Sequence, residues 1–395
     1  MYNINKSFIL LLLLSFMAFN SVANAQETNF SHNTLAYNNE NSSFSEDAKK
    51  LDAYAEKDKN QADSEQDKQN TEDTIVIPKG SLTIYFENDL FYNTDKYYTN
   101  AVQMRFVSPP LASFADNNIL PDFCDELLNK IQKLQDEDNI QYNVSIGMGQ
   151  SIYTPKDTYT TLLQKDDRPY AGYLYGFLAL HAKQETQMDT FELTGGIVGP
   201  SALGEQSQNE VHRIRGFETA NGWEHQLRDE PAFMFSWSRN YRLNKDSAWS
   251  GWNWDILPYH TMSVGNIFTQ ATIGSEFRFG WNLPSSFGTS LIRPGSSVDA
   301  PTPRSKKSVE EQQYGYYLFA GAEGRAVAHN IFLDGNTWKD SHSIEKNNFV
   351  GELNGGVAVT INEVRISYTH VFTTREFKGQ PRPQNYGSIT VMMPF

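Results

Sequence analysis

The sequence predicts an all-β protein, a transmembrane antiparallel up-and-down β-barrel of about 12 strands with a short helix in an extracellular loop. Segments in which apolar and polar side chains alternate with a period of two recur along most of the chain, and their number is even. The aromatic content is 13%, with 20 Tyr and 25 Phe, which suits membrane strands. The chain also ends on an amphipathic segment that finishes at Phe395.

The N-terminus has the pattern of a secretory signal peptide. Lys6 precedes an apolar run over residues 8–19, and Ala23-Asn24-Ala25 is the small-x-small pattern before a signal-peptidase cut. The run is shorter than the roughly 20 apolar residues that a spanning helix needs. We therefore expect residues 1–25 to be a cleaved signal peptide and the mature chain to begin near Gln26.

Residues 26–80 are predicted to be a disordered periplasmic leader. This segment contains 12 acidic and 6 basic side chains and only scattered apolar residues. It cannot bury enough apolar surface to fold alone.

Charge and cysteine content narrow the range of possible functions. The net charge of −14 argues against nucleic acid as a partner, because phosphate binding needs a basic face. Cys124 is the only cysteine, so a disulfide framework and a cysteine-based metal site are excluded. The mean hydropathy of −0.54 is compatible with membrane insertion, because a membrane strand needs only about 10 residues of alternating pattern.

The barrel is predicted over residues 81–395. In the first strand, Leu82, Ile84 and Phe86 alternate with Ser, Thr, Tyr and Glu, which indicates one apolar face. The twelve predicted strands are 81–87, 98–109, 140–150, 170–184, 188–198, 231–244, 253–264, 270–282, 313–328, 348–360, 363–376 and 385–395.

The last predicted strand resembles the assembly signal of bacterial outer-membrane proteins. Ile389, Val391, Met393 and Phe395 lie on one face, and the chain stops at that terminal aromatic residue. A β-sandwich with an apolar edge is the alternative, but it would not explain the terminal Phe together with the signal peptide.

Three further features bear on the architecture. Residues 110–139 have apolar side chains at helical spacing and predict a short amphipathic helix, whereas residues 284–312 are rich in Pro and predict an irregular loop. Trp249, Trp252 and Trp254 suit an aromatic girdle at a membrane interface, although a Trp cluster is also common in ordinary cores.

Five clusters are too polar, or too rich in Gly and Pro, for plain barrel strands. If the first strand leaves the periplasm, strands 1, 3 and 5 end, and strands 2 and 4 begin, at the extracellular rim, so all five clusters converge there. Tight turns alone would also explain many of these residues. The clusters are Glu87-Asn88-Asp89-Leu90-Phe91, Asp95-Lys96-Tyr97-Tyr98-Thr99-Asn100, Gly149-Gln150-Ser151-Ile152-Tyr153-Thr154-Pro155, Asp167-Arg168-Pro169-Tyr170-Ala171-Gly172, and the segment from Gly195 to His212.

Asn88 and Asp89 stand out because strands disfavour both residue types. An oxygen-rich pair near Glu87, Asp95 and Thr99 suits a hard cation such as Ca²⁺. Hydrogen bonding that stabilises the loop is the competing explanation, and the residues alone leave both open.

Gln208 and His212 are four residues apart in a helix-compatible run, so both side chains project from one helical face. A histidine in such a helix is more often a surface residue than a catalytic base. The sequence has no Gly-x-Ser-x-Gly motif that would indicate a serine nucleophile.

At these residues the sequence resembles the outer-membrane lipid A 3'-O-deacylase family (LpxR-like). The resemblance covers residues 81–395. The motifs that show it are the Glu-Asn-Asp-x-Phe strand end, Thr94-Asp95-Lys96-Tyr97-Tyr98-Thr99-Asn100, Gly-Gln-x-Ile-Tyr-Thr-Pro, Asp-Arg-Pro-Tyr-Ala-Gly, Val198-Gly199-Pro200 with Gln208 and His212, Gly222-Trp223-x-x-Gln226-Leu227, and the last strand. The residue marked x is Leu90 in the first motif and Ser151 in the third.

The resemblance implies a twelve-stranded barrel in the outer membrane, a site between the barrel wall and a loop helix, and hydrolysis of lipid A with Ca²⁺. It implies His212 as general base, Gln208 as its positioning neighbour, Asp89 as the principal Ca²⁺ ligand, and Asn88 and Thr99 as polar groups near the metal or the oxyanion. Ca²⁺ would act as a Lewis acid on the carbonyl oxygen. A family lysine in the second extracellular loop has no matching position, since Lys156 and Lys165 only flank it.

The expected partners are lipid A or lipopolysaccharide as substrate and the lipids of the outer membrane, and we expect a monomer. Two alternative functions are a non-enzymatic barrel, either a pore or a structural protein, and an outer-membrane phospholipase.

Overall fold

The computed structural model describes residues 75–89, 97–117, 119–133, 140–244, 251–289, 291–296, 298, 300, 304–305 and 313–395. Within these residues, twelve antiparallel strands form one closed barrel, which confirms the predicted fold class. The predicted signal peptide and most of the leader lie outside the described residues. The strands are β1 Ser81–Asn88, β2 Tyr97–Val107, β3 Gln141–Thr154, β4 Ala171–Lys183, β5 Gln187–Val198, β6 Glu230–Tyr241, β7 Trp252–Gly265, β8 Phe268–Trp281, β9 Tyr314–Asn330, β10 Phe349–Ile361, β11 Val364–Thr373 and β12 Gln384–Pro394.

The barrel closes where the last strand pairs with the first. Ser81 stands opposite Pro394, and Asn88 stands opposite Gly387. Closure removes the open sheet edges at which strands would otherwise aggregate. We call the end that holds Ser81 and Phe395 the terminal end, and the end where β1 finishes the rim.

The described residues that precede β1 contact the barrel chain in two places. Ile75–Val76 pairs with Arg304–Ser305. The amide of Lys79 donates to the carbonyl oxygen of Phe395 at 2.6 Å, and the amide of Phe395 donates to the carbonyl oxygen of Gly80 at 3.1 Å. These contacts fix residues 75–80, which lie within the predicted leader, because the terminal residue offers them backbone groups outside the strand ladder.

The barrel buries its polar face and exposes its apolar face. In β1, the buried side chains alternate with the half-buried Leu82, Ile84 and Phe86. Apolar residues elsewhere on the wall are even more exposed, with Leu193 at 60%, Ile273 at 71% and others similarly placed. This arrangement is inverted relative to a water-soluble protein and is the one that a lipid environment stabilises.

Aromatic side chains gather on the wall near the terminal end. Trp252 stacks on Phe279 with 5.2 Å between ring centroids, and Tyr316 meets the same indole edge-on at 5.6 Å. Trp254 is 39% exposed. This cluster has the composition of an interfacial girdle. Trp249, which the prediction included, lies outside the described residues.

The described part of the loop predicted over residues 284–312 folds back into the lumen of the barrel. The amide of Ile292 donates to Glu87 Oε1 at 2.9 Å, and the amide of Gly295 donates to Glu192 Oε1 at 3.1 Å. Arg293 Nη2 pairs with Glu352 at 2.7 Å. These carboxylates belong to β1, β5 and β10, so the loop contacts strands around the barrel. It is an internal plug that the sequence pattern did not reveal.

Among the described residues, three α-helices lie in the connections: α1 Asp125–Gln132, α2 Gly204–Arg215 and α3 Ile331–Asp334. The predicted helix within 110–139 is therefore confirmed as α1, whose Leu128 packs with Tyr142 and Val144 at the terminal end. Phe332 of α3 stacks on Tyr153 of the rim with 4.0 Å between centroids. In the described part of the chain, no helix is both long and apolar enough to span a membrane.

Candidate active site at the rim

The register of β1 to β4 brings the polar clusters together at the rim. Asn88 stands opposite Asn100, Asn100 opposite Ile152, and Ile152 opposite Gly172. One row across four neighbouring strands therefore contains a residue of each of the first four clusters. The fifth follows because Tyr173 of β4 stands opposite Val198 of β5. The predicted convergence is confirmed, except that residues 90–96 lie outside the described part.

The outer face of the wall changes from apolar to polar near the rim. By alternation along β1, Asn88 follows Phe86 on the outward face, and along β3 Gln150 follows the exposed Met148. Yet Asn88 is only 4% exposed and Gln150 only 7%. A polar group that faces outward and is still buried must be covered by another part of the chain.

Over β3 and β4 the cover is α2 with the turn before it. Gln150 Nε2 donates to the carbonyl oxygen of Ala202 at 2.6 Å, which fixes the turn before the helix. The backbone of Gly204 then lies against Gly172 of β4, so close that a Cβ on Gly204 would stand 2.9 Å from the Cα of Gly172. Two glycines meet here because the helix and the wall need the space of both missing side chains.

One face of α2 is buried against the wall. Gly204, Gln208 and His212 follow at intervals of four, and Gln208 and His212 are each 4% exposed. The predicted sharing of one helical face is confirmed. Helix α2 ends at Arg215, and the next residue, Gly216, has a positive φ of 71° that turns the chain back toward the wall.

The proton of the His212 imidazole is fixed by its hydrogen bond. Nδ1 lies 2.5 Å from the carbonyl oxygen of Glu218, which can only accept, so Nδ1 carries the hydrogen. In the neutral ring, Nε2 then carries the lone pair. Phe217 meets the imidazole edge-on with 5.9 Å between centroids. The arrangement leaves Nε2 as the basic atom of the ring.

Trp223 fixes the side chain of Gln208, which is buried on the same face of α2 as His212. Its indole Nε1 donates to Gln208 Oε1 at 3.0 Å. Asn209 also ties the helix to the returning loop, since its Oδ1 accepts from the amide of Ala220 at 2.9 Å. Trp223 lies in a motif of the family resemblance, but no role was predicted for it, because a contact over 15 residues leaves no local pattern.

The rim ends of β1 and β2 carry oxygen-bearing side chains. Asp89, directly after β1, is fully buried, and Asn88 and Thr99 are each 4% exposed. The Thr99 and Thr154 hydroxyls share a hydrogen bond of 2.8 Å. Asn100 Oδ1 is buried without a hydrogen-bond partner among the described residues. A carboxylate, amide oxygens and hydroxyls thus lie along one stretch of wall.

Of the two other predicted contributors, one faces the lumen and the other is not among the described residues. Glu87 points into the lumen, where it accepts from Tyr98 at 2.8 Å and from the plug, so it does not join Asn88 on the outer face. Asp95 lies outside the described residues. The period of two explains the first result, because neighbouring strand residues point to opposite faces.

The Asp-Arg-Pro-Tyr-Ala-Gly cluster organises the loops above the rim. The Asp167 carboxylate accepts from the amides of Lys156 and Arg168 at 2.9 and 2.8 Å. Arg168, 1% exposed, pairs with Glu376 at 3.2 Å and stands over the Tyr153 ring at 4.9 Å. These contacts assign the cluster a structural role. Lys156 and Lys165 are both exposed.

A model of the family described as outer membrane protein LpxR matches residues 60–395. The chain belongs to the LpxR family. This is the family of outer-membrane lipid A deacylases that the sequence resembles, so the predictions of family, hydrolase class and outer-membrane location are confirmed.

A solved structure of a protein with the family's name has the same fold. LpxR from Salmonella typhimurium is 20% identical, with a TM-score of 0.61 over 80% of this chain and 100% of that one. The β-domain of the Bordetella autotransporter BrkA is 9% identical, with a TM-score of 0.35 over 80% of this chain and 98% of that one. No curated protein matches the LpxR-family chain significantly by sequence.

Proposed function

We propose that this LpxR-family chain hydrolyses the 3'-acyloxyacyl ester of lipid A in the outer leaflet of the outer membrane, with the rim extracellular. The observation that carries this proposal is that polar side chains on the outward face of the wall are buried at the rim, where α2 covers that face over β3 and β4. A site on that face is reached from the lipid phase and not from the lumen. Lipid A, whose esters lie at the boundary of headgroup and acyl chain, suits such a position.

His212 is the proposed general base. With its hydrogen held at Nδ1 by Glu218, the imidazole can accept a proton from water at Nε2. The water oxygen bonds to the ester carbonyl carbon, the carbonyl oxygen takes the negative charge, and the alkoxy C–O bond then breaks. The leaving oxygen takes the proton from His212, which restores the base without a covalent acyl-enzyme.

The remaining site residues are proposed to stabilise charge and hold the substrate. Gln208 lies one helical turn before His212, and Asn88 and Thr99 lie on the wall, all three buried. Polar groups that are buried and fixed before the reaction stabilise a developing oxyanion better than water does.

Asp89 is proposed as the principal Ca²⁺ ligand. Among the described residues, no group of three or more His, Cys, Asp or Glu side chains could hold a metal. The donor chemistry nevertheless fits a hard cation, because the fully buried Asp89 carboxylate is accompanied by Asn100 Oδ1, a buried amide oxygen without a described hydrogen-bond partner. Bound Ca²⁺ would supply positive charge for the carbonyl oxygen.

The plug favours an enzyme over a pore. Arg293 and its neighbouring amides occupy the lumen and pair with carboxylates of three strands. A solute would have to displace these contacts to pass. The phospholipase alternative predicts the same outward site and differs only in substrate.

The substrate is tested with purified protein in detergent and Ca²⁺, given lipid A and glycerophospholipid in separate reactions read by mass spectrometry. We expect lipid A to lose its 3'-acyloxyacyl group and the phospholipid to remain intact. Lysophospholipid as the product would support the alternative, and two unchanged lipids would contradict an esterase of either kind.

A further inference from the structure

We infer that Trp223 is a positioning residue that fixes the carboxamide of Gln208, so that Gln208 presents N–H to the ester carbonyl oxygen. This inference rests on the proposed function and assigns Gln208 a catalytic role as hydrogen-bond donor, in addition to its position beside His212.

The orientation of the amide follows from the chemistry of its partner. An indole Nε1 can only donate, so the atom of Gln208 that meets it at 3.0 Å must be the carbonyl oxygen. The two hydrogens on Nε2 then point away from Trp223. Both side chains are buried, Trp223 at 2% and Gln208 at 4% exposure, so water does not compete for this bond.

The indole itself is held by several elements. Trp223 packs with Ile152, Tyr170 and Ala220, and its ring centroid lies 5.0 Å from that of Tyr170. On the side of α2, a Cβ on Gly204 would stand 2.9 Å from Cη2 of the indole. Strand β3, the start of β4 and α2 therefore meet around this one ring.

A donor at Gln208 is what the reaction needs there. When water attacks the ester, the carbonyl oxygen gains negative charge, which an N–H stabilises and a second oxygen would repel. Gln208 lies on the same face of α2 as His212, one turn away. The base and the donor would thus act from one rigid helix, and Trp223 decides which end of the amide is offered.

Trp223→Phe tests the positioning role, since it keeps an aromatic ring and removes the N–H. We expect kcat on lipid A to fall by about 10²-fold, in the range for losing an oriented oxyanion donor, with KM little changed. In a Gln208→Ala background the same change should have no further effect. Trp237→Phe is the matched control, because Trp237 Nε1 also donates to a side chain, Asp189 Oδ1 at 3.1 Å, away from the site.

Gln208→Glu tests the donor role without altering the tryptophan. The carboxylate can still accept from the indole but offers no N–H, so we expect activity as low as that of Gln208→Ala. Full activity of Gln208→Glu, a wild-type kcat for Trp223→Phe, or a further loss from Trp223→Phe in the Gln208→Ala background would overturn the inference. Inactivity of the wild-type protein on lipid A would instead refute the proposed function.

Discussion

Asp89 is the residue whose proposed role depends most on charge. It is fully buried at the rim, and a hard cation loses affinity when its anionic ligand is removed. We expect Asp89→Ala to lower deacylation by at least about 10²-fold and to require far more Ca²⁺, whereas the exposed Asp166→Ala should behave as wild type. Calcium titration of the rate checks this. An Asp89→Ala protein with the wild-type calcium response would refute the assignment.

Asp334 makes the stability of the loops above the rim depend on pH. Burial raises the pKa of its carboxyl, but hydrogen bonds from His329, Lys346 and the amide of Asn330 outweigh this and lower the pKa from 3.8 to about 2. A lowered folded-state pKa contributes stability above pH 3.8 that is lost as pH falls through 2. Asp334→Asn should therefore destabilise the rim at pH 5 and match wild type near pH 2, as measured by protease sensitivity of the loops. If wild type and Asp334→Asn differed equally in protease sensitivity at both pH values, the ionised Asp334 carboxylate would not be the source of the stability.

Site residues could be predicted from sequence only where the constraint was local. The spacing of Gln208 and His212 placed both on one face of a helix, and the structure agrees. Trp223 and Glu218 were missed as partners because their contacts with α2 arise from the fold of the returning loop. Glu87 was placed with Asn88 although alternation along β1 separates them.

At the scale of elements, the seating of α2 on the wall is the feature most open to test. A Cβ on Gly204 would stand 2.9 Å from both Gly172 and Trp223, so a larger side chain must lift the helix. We expect Gly204→Val to lower activity at least about tenfold while the barrel still assembles, shown by heat-modifiable migration on gels. Gly195→Val on β5 is the matched control, since a Cβ there meets nothing within 4 Å. Full activity of Gly204→Val would show that the close contact between α2 and the wall is not needed for activity.

The elements differed in how far sequence could predict them. All twelve strands were predicted because a membrane strand has one apolar face and therefore a period of two. The plug was predicted only as an irregular loop. Its position depends on Arg293 and on backbone amides that meet carboxylates of distant strands, and such contacts follow no periodicity.

For the whole molecule, the orientation in the membrane is a proposal that follows from strand parity. Helix α2 at the rim carries the exposed Gln206, and α1 at the terminal end carries Lys130, whose side chain is 69% exposed. After Cys124→Ala removes the only native cysteine, Gln206→Cys should react with a membrane-impermeant maleimide on intact cells, and Lys130→Cys should react only after lysis. Labelling of Lys130→Cys on intact cells, with Gln206→Cys labelled only after lysis, would show that the barrel has the opposite orientation.

We propose that lipid A is hydrolysed at His212 on the outward face of the barrel wall. The most direct test of this proposal is mass spectrometry of lipid A from cells that carry the wild-type protein, His212→Gln or His225→Gln. His225 is the matched control, because its Nε2 also bonds a backbone carbonyl, that of Thr161 at 3.0 Å. We predict loss of the 3'-acyloxyacyl group with wild type and His225→Gln and intact lipid A with His212→Gln. Deacylation by His212→Gln at the wild-type level would refute the role of His212 in hydrolysis.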